Sequence, residues 1–262
     1  AAFFIELDQK APALSTYHGA QSHSNKRSII MRKTLFTASA LALALAAPFA
    51  QAFEAGDIIV RAGAITVDPR EDSGNLEFDG ASAGGTSATL NSDTQLGLNF
   101  AYMVTDKVGI ELLAATPFSH EVGVKGVSNA VGIPGLDGKL GDLKQLPPTL
   151  SVVYYPLDNK AAFQPYVGVG INYTTFFQED LSSERKAQGF SSMDVDDSWG
   201  LAFQVGADYM LTDKLMINAQ VRYIDIDTEA TVKGPTALGV TKTTVDVDVD
   251  PMVYMVGLGY KF

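Results

Sequence analysis

The chain has 262 residues, a formal net charge of −11 and no cysteine. That acidic balance disfavours contact with nucleic acid, and the lack of cysteine removes disulfides and thiolate chemistry while remaining compatible with export into an oxidising space. Residues 53–262 alone carry 14 Lys plus Arg against 28 Asp plus Glu, a net charge near −14.

Residues 1–30 precede a good initiator methionine and read as an upstream extension outside the fold. Met31-Arg32-Lys33 opens a positive segment, Leu35 to Phe49 is apolar and rich in alanine, and Ala50-Gln51-Ala52 has the small-x-small cleavage pattern. Residues 31–52 therefore read as a secretory signal peptide cut before Phe53, leaving 53–262 as the folded domain. The apolar stretch is short for a membrane helix, and no later run of about 18 apolar residues follows.

From there the period is two, which argues for half-buried strands. Strand one spans about Gly56 to Val67. Strand two, about Asp93 to Val104, sets Leu96, Leu98, Phe100 and Tyr102 against Gln95, Gly97, Asn99 and Ala101. Strand three, from Val108, sets Ile110, Leu112, Ala114, Thr116 and Phe118 against Glu111, Leu113, Ala115 and Pro117. Strands four, five, six and seven cover about Pro148–Tyr155, Pro165–Phe177, Trp199–Tyr209 and Leu215–Tyr223. The eighth, Met252 to Phe262, has Tyr254, Val256, Leu258, Tyr260 and Phe262 on one face, and small or polar residues on most of the other.

One face apolar with aromatics near its ends, repeated over strands of about ten residues, is the pattern of a transmembrane β-barrel. The connections alternate. Thr105-Asp106-Lys107, residues 156–164 and Thr212-Asp213-Lys214 are short, whereas 68–92, 119–147, 178–197 and 227–244 are long and rich in Gly, Ser, Asp and Thr. Lipid leaves no backbone group unpaired, so strands there must close on themselves. The reading is an all-β, eight-stranded antiparallel barrel with short periplasmic turns and long extracellular loops, located in the outer membrane of a Gram-negative bacterium. Extending the pleat of the last strand backwards would put Asp246, Asp248 and Asp250 in hydrocarbon, so a bulge at Asp250-Pro251 or an extension beyond the bilayer must intervene.

Several residues invite closer reading. Pro117 cannot donate a ladder hydrogen bond; it is either a weak point in the wall or the end of strand three. Leu113 projects to the lumen with Glu111, where it lines a dry passage or simply fills a narrow interior. Gln95, Asn99, Glu111, Asn172, Gln204, Asn218, Gln220 and Arg222 form a lumenal polar set that braces the barrel and blocks a continuous water column. Tyr102, Tyr154, Tyr209, Tyr260 and Phe262 near one rim, and Phe118, Phe177, Trp199 and Tyr223 near the other, read as interface girdles. Ser119-His120-Glu121 cannot form a relay among themselves, because consecutive strand residues point to opposite faces, and no enzymatic activity is assigned. Asp194, Asp196 and Asp197, with Asp246, Asp248 and Asp250, lack a calcium-loop pattern and read as surface charge; no metal or cofactor is called for.

With these residues in view the chain resembles the outer membrane protein W family. The resemblance rests on Asp93-Thr-Gln-Leu-Gly-Leu98, Glu111-Leu-Leu-Ala-Ala-Thr-Pro-Phe118, Leu146-Pro-Pro-Thr149, Ile171-Asn-Tyr-Thr-Thr-Phe-Phe177, Asp197-Ser-Trp-Gly200 and Tyr223-Ile-Asp-Ile-Asp-Thr228. It implies a channel for passive uptake of small, mostly hydrophobic molecules, with exit sideways through the wall. On that basis Thr116, Pro117 and Phe118 form the lateral gate, and Leu113 with Glu111 and Arg222 the constriction. Arg222 departs from relatives that carry tryptophan at its position, so its charge pairs with Glu111 and makes the floor more polar. Outer-membrane lipid, lipopolysaccharide, small hydrophobic solutes and, during insertion, the barrel-assembly machinery are the implied partners. The alternative function is a non-transporting anchor or surface-recognition barrel whose loops act as receptor or adhesion sites.

Overall fold

A computed structural model describes residues 52–262. Residues 1–51, read from the sequence as an upstream extension and most of a signal segment, lie outside the described residues; Ala52 N–H donates to Asn159 O at 2.6 Å.

Eight strands form the wall: β1 (Ile58–Asp68), β2 (Asp93–Met103), β3 (Val108–Ala115), β4 (Thr149–Tyr154), β5 (Phe163–Leu181), β6 (Ser198–Met210), β7 (Leu215–Ile224) and β8 (Met252–Lys261). Each pairs antiparallel with the next. The circle closes where β1 pairs with β8, from Ile59–Lys261 to Asp68–Met252. The chain-terminal strand thus leaves no sheet edge in lipid, which is what the bilayer requires.

Alternation selects the faces. Leu96, Phe100, Leu112, Val152, Val169, Phe203 and Val256 all project outward and are exposed, an apolar belt that is stable only against lipid. Aromatics mark both rims. Tyr260 and Phe262 pack with ring centroids 4.8 Å apart at the short-turn end, and Tyr173 and Trp199 pack at 4.6 Å at the other. Two of the three short connections use the same device. Thr105 Oγ1 accepts from the N–H groups of Lys107 and Val108, and Thr212 Oγ1 from those of Lys214 and Leu215.

The long connections are not irregular. Residues Ser87–Leu90, Phe118–Lys125 and Gly138–Leu146 form a ladder continuous with the upper half of β5. A second sheet contains Ser192–Val195, Asp227–Lys233 and Lys242–Asp248, with the short strands Glu77–Phe78 and Ala81–Ser82 extending it. β5 has 19 residues, about 60 Å at the usual rise of a strand, so it crosses the roughly 30 Å hydrocarbon layer and still supports this extracellular part. Valines 245, 247 and 249 turn inward there and are buried. Their parity is opposite to that of β8, and the change falls at Asp250-Pro251, where Asp250 takes φ +38°.

Strand three corrects one expectation. It ends at Ala115 instead of running through Phe118, and the chain resumes as Phe118–Lys125. The break at Thr116-Pro117 shifts the parity, so even-numbered residues now face inward. Phe118 is 0% exposed; it belongs to the interior and not to the outer girdle.

Candidate functional site

At the membrane level the lumen is crossed by a layer of balanced charge. Arg61, from β1, holds Asp208 of β6 with two parallel bonds, Nε to Oδ1 at 2.9 Å and Nη2 to Oδ2 at 2.7 Å. The same guanidinium donates to Asn99 Oδ1 at 3.0 Å, to Tyr155 Oη at 2.8 Å and to Glu111 Oε2 at 3.4 Å. Glu111 Oε1 accepts from Arg222 Nη2 at 2.7 Å and from Gln204 Nε2 at 2.9 Å. Asn218 links Asp208 Oδ1 to Tyr166 Oη, with its amide donating to both. Arg61, Glu111, Asp208 and Arg222 are essentially buried, so two cations face two carboxylates with bidentate and shared bonds, the arrangement that offsets desolvation of buried ions.

Small residues make the space. A Cβ on Gly206 would stand 2.5 Å from the Tyr166 ring, so glycine there lets the tyrosine lie across the lumen. Below the charge layer, Phe53, Met103, Tyr155, Met210 and Met216 form an apolar cluster at the short-turn end. Above it, Leu113, Ile65, Val253 and Met255 belong to a second apolar cluster that continues into the extracellular part.

That extracellular part encloses a cavity of about 60 Å³, lined among others by Val122, Leu140, Leu143, Phe176, Met193 and Val245. Arg185 also borders it, and its guanidinium is taken up by the carbonyls of Lys139, Asp137 and Gly135 and by Gln188 Oε1.

Between cavity and lumen the wall is interrupted. The β3–β4 ladder ends at Leu113–Thr149, and pairing resumes only at Phe118–Gln145. Residues 114–117 on one side and 146–148 on the other have no partners across this stretch in the two ladders. Pro117, Pro147 and Pro148 contribute no N–H. Asn172 Nδ2 donates to the carbonyls of Pro147 and Pro148, both at 3.1 Å, and to Thr149 Oγ1 at 3.0 Å. Thr116 N donates to Leu96 O at 3.0 Å and its hydroxyl to Gln95 Oε1 at 3.1 Å.

The structure therefore brings Glu111 and Arg222 into direct contact, sets Leu113 two residues above Glu111 on the same face, and leaves Thr116 and Pro117 exposed at the interruption while Phe118 points inward. Sequence reasoning missed the central pair. Arg61 stood among small and apolar residues, and Asp208 on a face otherwise of small residues and glutamine; the only signal was that each ion occupies a lumenal parity position. The paired prolines 147 and 148 were a second signal, since one strand rarely tolerates two. Of the acids weighed for calcium, only Asp250 joins the group that the fold assembles: among the described residues, Asp225, Asp227 and Asp250 have carboxylate oxygens within 4.8 Å of one another. Partial desolvation, then the charges of Asp225, Asp248 and Asp250, raise the proton affinity of Asp227.

A family model described as the OmpW family matches residues 54–262. Outer membrane protein W of Vibrio cholerae is 43% identical over 232 residues, spanning 88% of this chain and 100% of that protein. The crystal structure of the outer membrane protein OprG from Pseudomonas aeruginosa is 60% identical with a TM-score of 0.77, covering 81% of this chain and 98% of its own. A more distant relative, the dibenzothiophene metabolism operon protein PahQ of Pseudomonas aeruginosa, is 25% identical over 72% of this chain and 82% of that protein. The OmpW and OprG relatives are outer-membrane barrels and not enzymes. Closed wall, lipid-facing belt and family match together make this chain a member of the OmpW family, an eight-stranded β-barrel of the outer membrane.

Proposed function

We propose that the protein is a passive channel for small, mostly hydrophobic molecules that enter through the extracellular part and leave sideways into the membrane at Thr116 and Pro117. The observation that carries this reading is the vertical order of the interior. An apolar cluster containing Leu113 runs up to an apolar cavity, a layer of buried ion pairs lies beneath it, and the unpaired stretch of wall sits at the boundary. An apolar solute gains nothing by entering a layer of ion pairs, so the wall interruption is the lower-energy exit. The name of the relative PahQ points to an aromatic, sulfur-containing hydrocarbon and agrees with an apolar cargo.

The test is transfer of n-octane into liposomes that contain the purified barrel. Faster transfer than in protein-free liposomes, without admission of a sugar to the liposome interior, is the expected result; equal octane transfer with and without the protein would sink the channel reading. The occluded lumen and the two extracellular sheets favour a second reading, a non-transporting recognition barrel, and equal transfer would leave that one standing. In either reading lipopolysaccharide faces the outer girdle, the barrel-assembly machinery receives the strand ending at Phe262, and residues 31–52 direct export.

A further inference from the structure

His120 and Gln145 are the most anomalous buried side chains outside the charge layer. His120 is 1% exposed and Gln145 0%. The imidazole Nδ1 lies 2.7 Å from Asn91 O. A carbonyl only accepts, so Nδ1 carries the proton and Nε2 is left as an acceptor. Burial lowers the proton affinity of the ring and so favours its neutral form, opposed by the Asn91 carbonyl, by Asp93 and by the Gln145 side chain. By strict hydrogen-bond geometry His120 Nε2 has no partner, and neither does Oε1 or Nε2 of Gln145, although the Gln145 side chain lies close enough to the imidazole to raise its proton affinity. Unmet buried donors and acceptors are costly and rare.

Their position gives the anomaly a use. Gln145 is opposite Phe118 on one side and Phe176 on the other, and His120 is opposite Leu143. His120 shares its face with Val122, and Gln145 with Leu143; Val122, Leu143 and Phe176 all line the apolar cavity. On the membrane side the next residues are those of the wall interruption. Along both strands the polar pair thus lies between cavity-lining residues and the wall interruption, without itself lining the cavity.

We propose that His120 and Gln145 form a docking point for the hydroxyl group of an uncharged amphiphile whose hydrocarbon tail lies along the apolar interior and reaches the apolar cavity with one end. The O–H donates to His120 Nε2 and the same oxygen accepts from Gln145 Nε2, so one hydroxyl meets a donor and an acceptor at once. A carboxylate offers no proton to Nε2, and an alkane leaves both groups unmet. The inference rests on the channel reading and narrows its cargo from apolar molecules in general to alcohols and phenols.

The test compares 1-octanol with n-octane on the ¹⁵N-labelled barrel in lipid bicelles. Residues 53–262 contain no other histidine, so the imidazole resonances assign themselves. Octanol should shift the His120 Nε2 and Gln145 side-chain amide resonances, and octane should leave them in place. In liposomes, His120→Phe and Gln145→Leu should each reduce the octanol-to-octane transfer ratio by about two- to tenfold, the range expected for one net hydrogen bond. Both substitutions replace an unmet polar group by an apolar one of similar size, so insertion should hold, and the resonance shifts of the wild type stand as evidence if it does not. Identical responses to the two probes, or a water signal at His120 that persists at saturating octanol, would overturn the docking point. Resonance shifts without any transfer would uphold docking and remove the channel; transfer of both probes at equal rates without shifts would do the reverse.

Discussion

Arg61 is the residue on which the lumen depends most. It bonds to four side chains from four parts of the wall, Asn99, Glu111, Tyr155 and Asp208, and all of them are buried. Arg61→Met should destabilise the barrel by about 3–5 kcal/mol because it leaves Asp208 as a buried charge with only amide and hydroxyl partners. Arg61→Met combined with Asp208→Leu should recover much of that loss, since no uncompensated ion remains. Urea unfolding in detergent micelles, followed by the heat-dependent gel shift, measures both, and additivity of the two losses would contradict a coupled pair. Leu113 tests the apolar passage above this layer. Leu113→Asp places a carboxylate among Ile65, Val253 and Met255, where it holds water and disfavours apolar occupancy. Octane transfer into liposomes should fall at equal protein insertion; an unchanged rate would take Leu113 out of the pathway.

At the scale of an element, β3 is the informative strand. Its pairing stops at Ala115 and its continuation pairs with a different partner strand, Gly138–Leu146. Pro117→Ala supplies an N–H on one side of a stretch where Pro147 and Pro148 still lack theirs on the other. The ladder can gain about one bond, worth roughly 0.5–1.5 kcal/mol net, so stability should stay level or rise slightly while sideways transfer of octane falls. Transport equal to wild type at equal insertion would make Pro117 a strand terminator and nothing more. The outward alternation of β2, β5, β6 and β8 was legible residue by residue, because lipid on one side and a packed lumen on the other impose a strict period of two. Phe118 was misplaced by the same logic. Parity carries over only while the pleat is continuous, and a proline break resets it.

For the molecule as a whole, closure is the decisive property. β8 pairs on both sides, with β1 and β7, so the β1–β8 ladder is the seam that closes the wall. Phe262 N donates to Ile58 O at 2.9 Å and its ring packs on Tyr260. Deleting Phe262 should lower the yield of heat-modifiable, membrane-inserted protein severalfold without preventing refolding in detergent, since one rim contact is lost and the ladder remains. Comparing folded fractions on unheated gels from membranes and from detergent refolding checks this; equal yields in membranes would mean that the terminal aromatic has no part in assembly.

The amino-acid sequence by itself determined the barrel: strand number, outward faces, and short and long ends all follow from a two-residue period and from the rule that lipid leaves no backbone group unpaired, while the pairing of Glu111 with Arg222 was expected only through the family resemblance. Local periodicity is sufficient there because each strand meets the same two environments along its length. Only the tertiary structure decided the rest. Arg61 meets Asp208 across a separation of 147 residues, and the register and tilt that place them together belong to the closed barrel and to no segment of it. The extracellular sheets and the cavity between them depend likewise on strands brought together from four separate connections, and His120 and Gln145, although on one hairpin, are buried only by that assembly. In those connections the surroundings change from residue to residue, and the repeating pattern that makes a strand readable no longer applies.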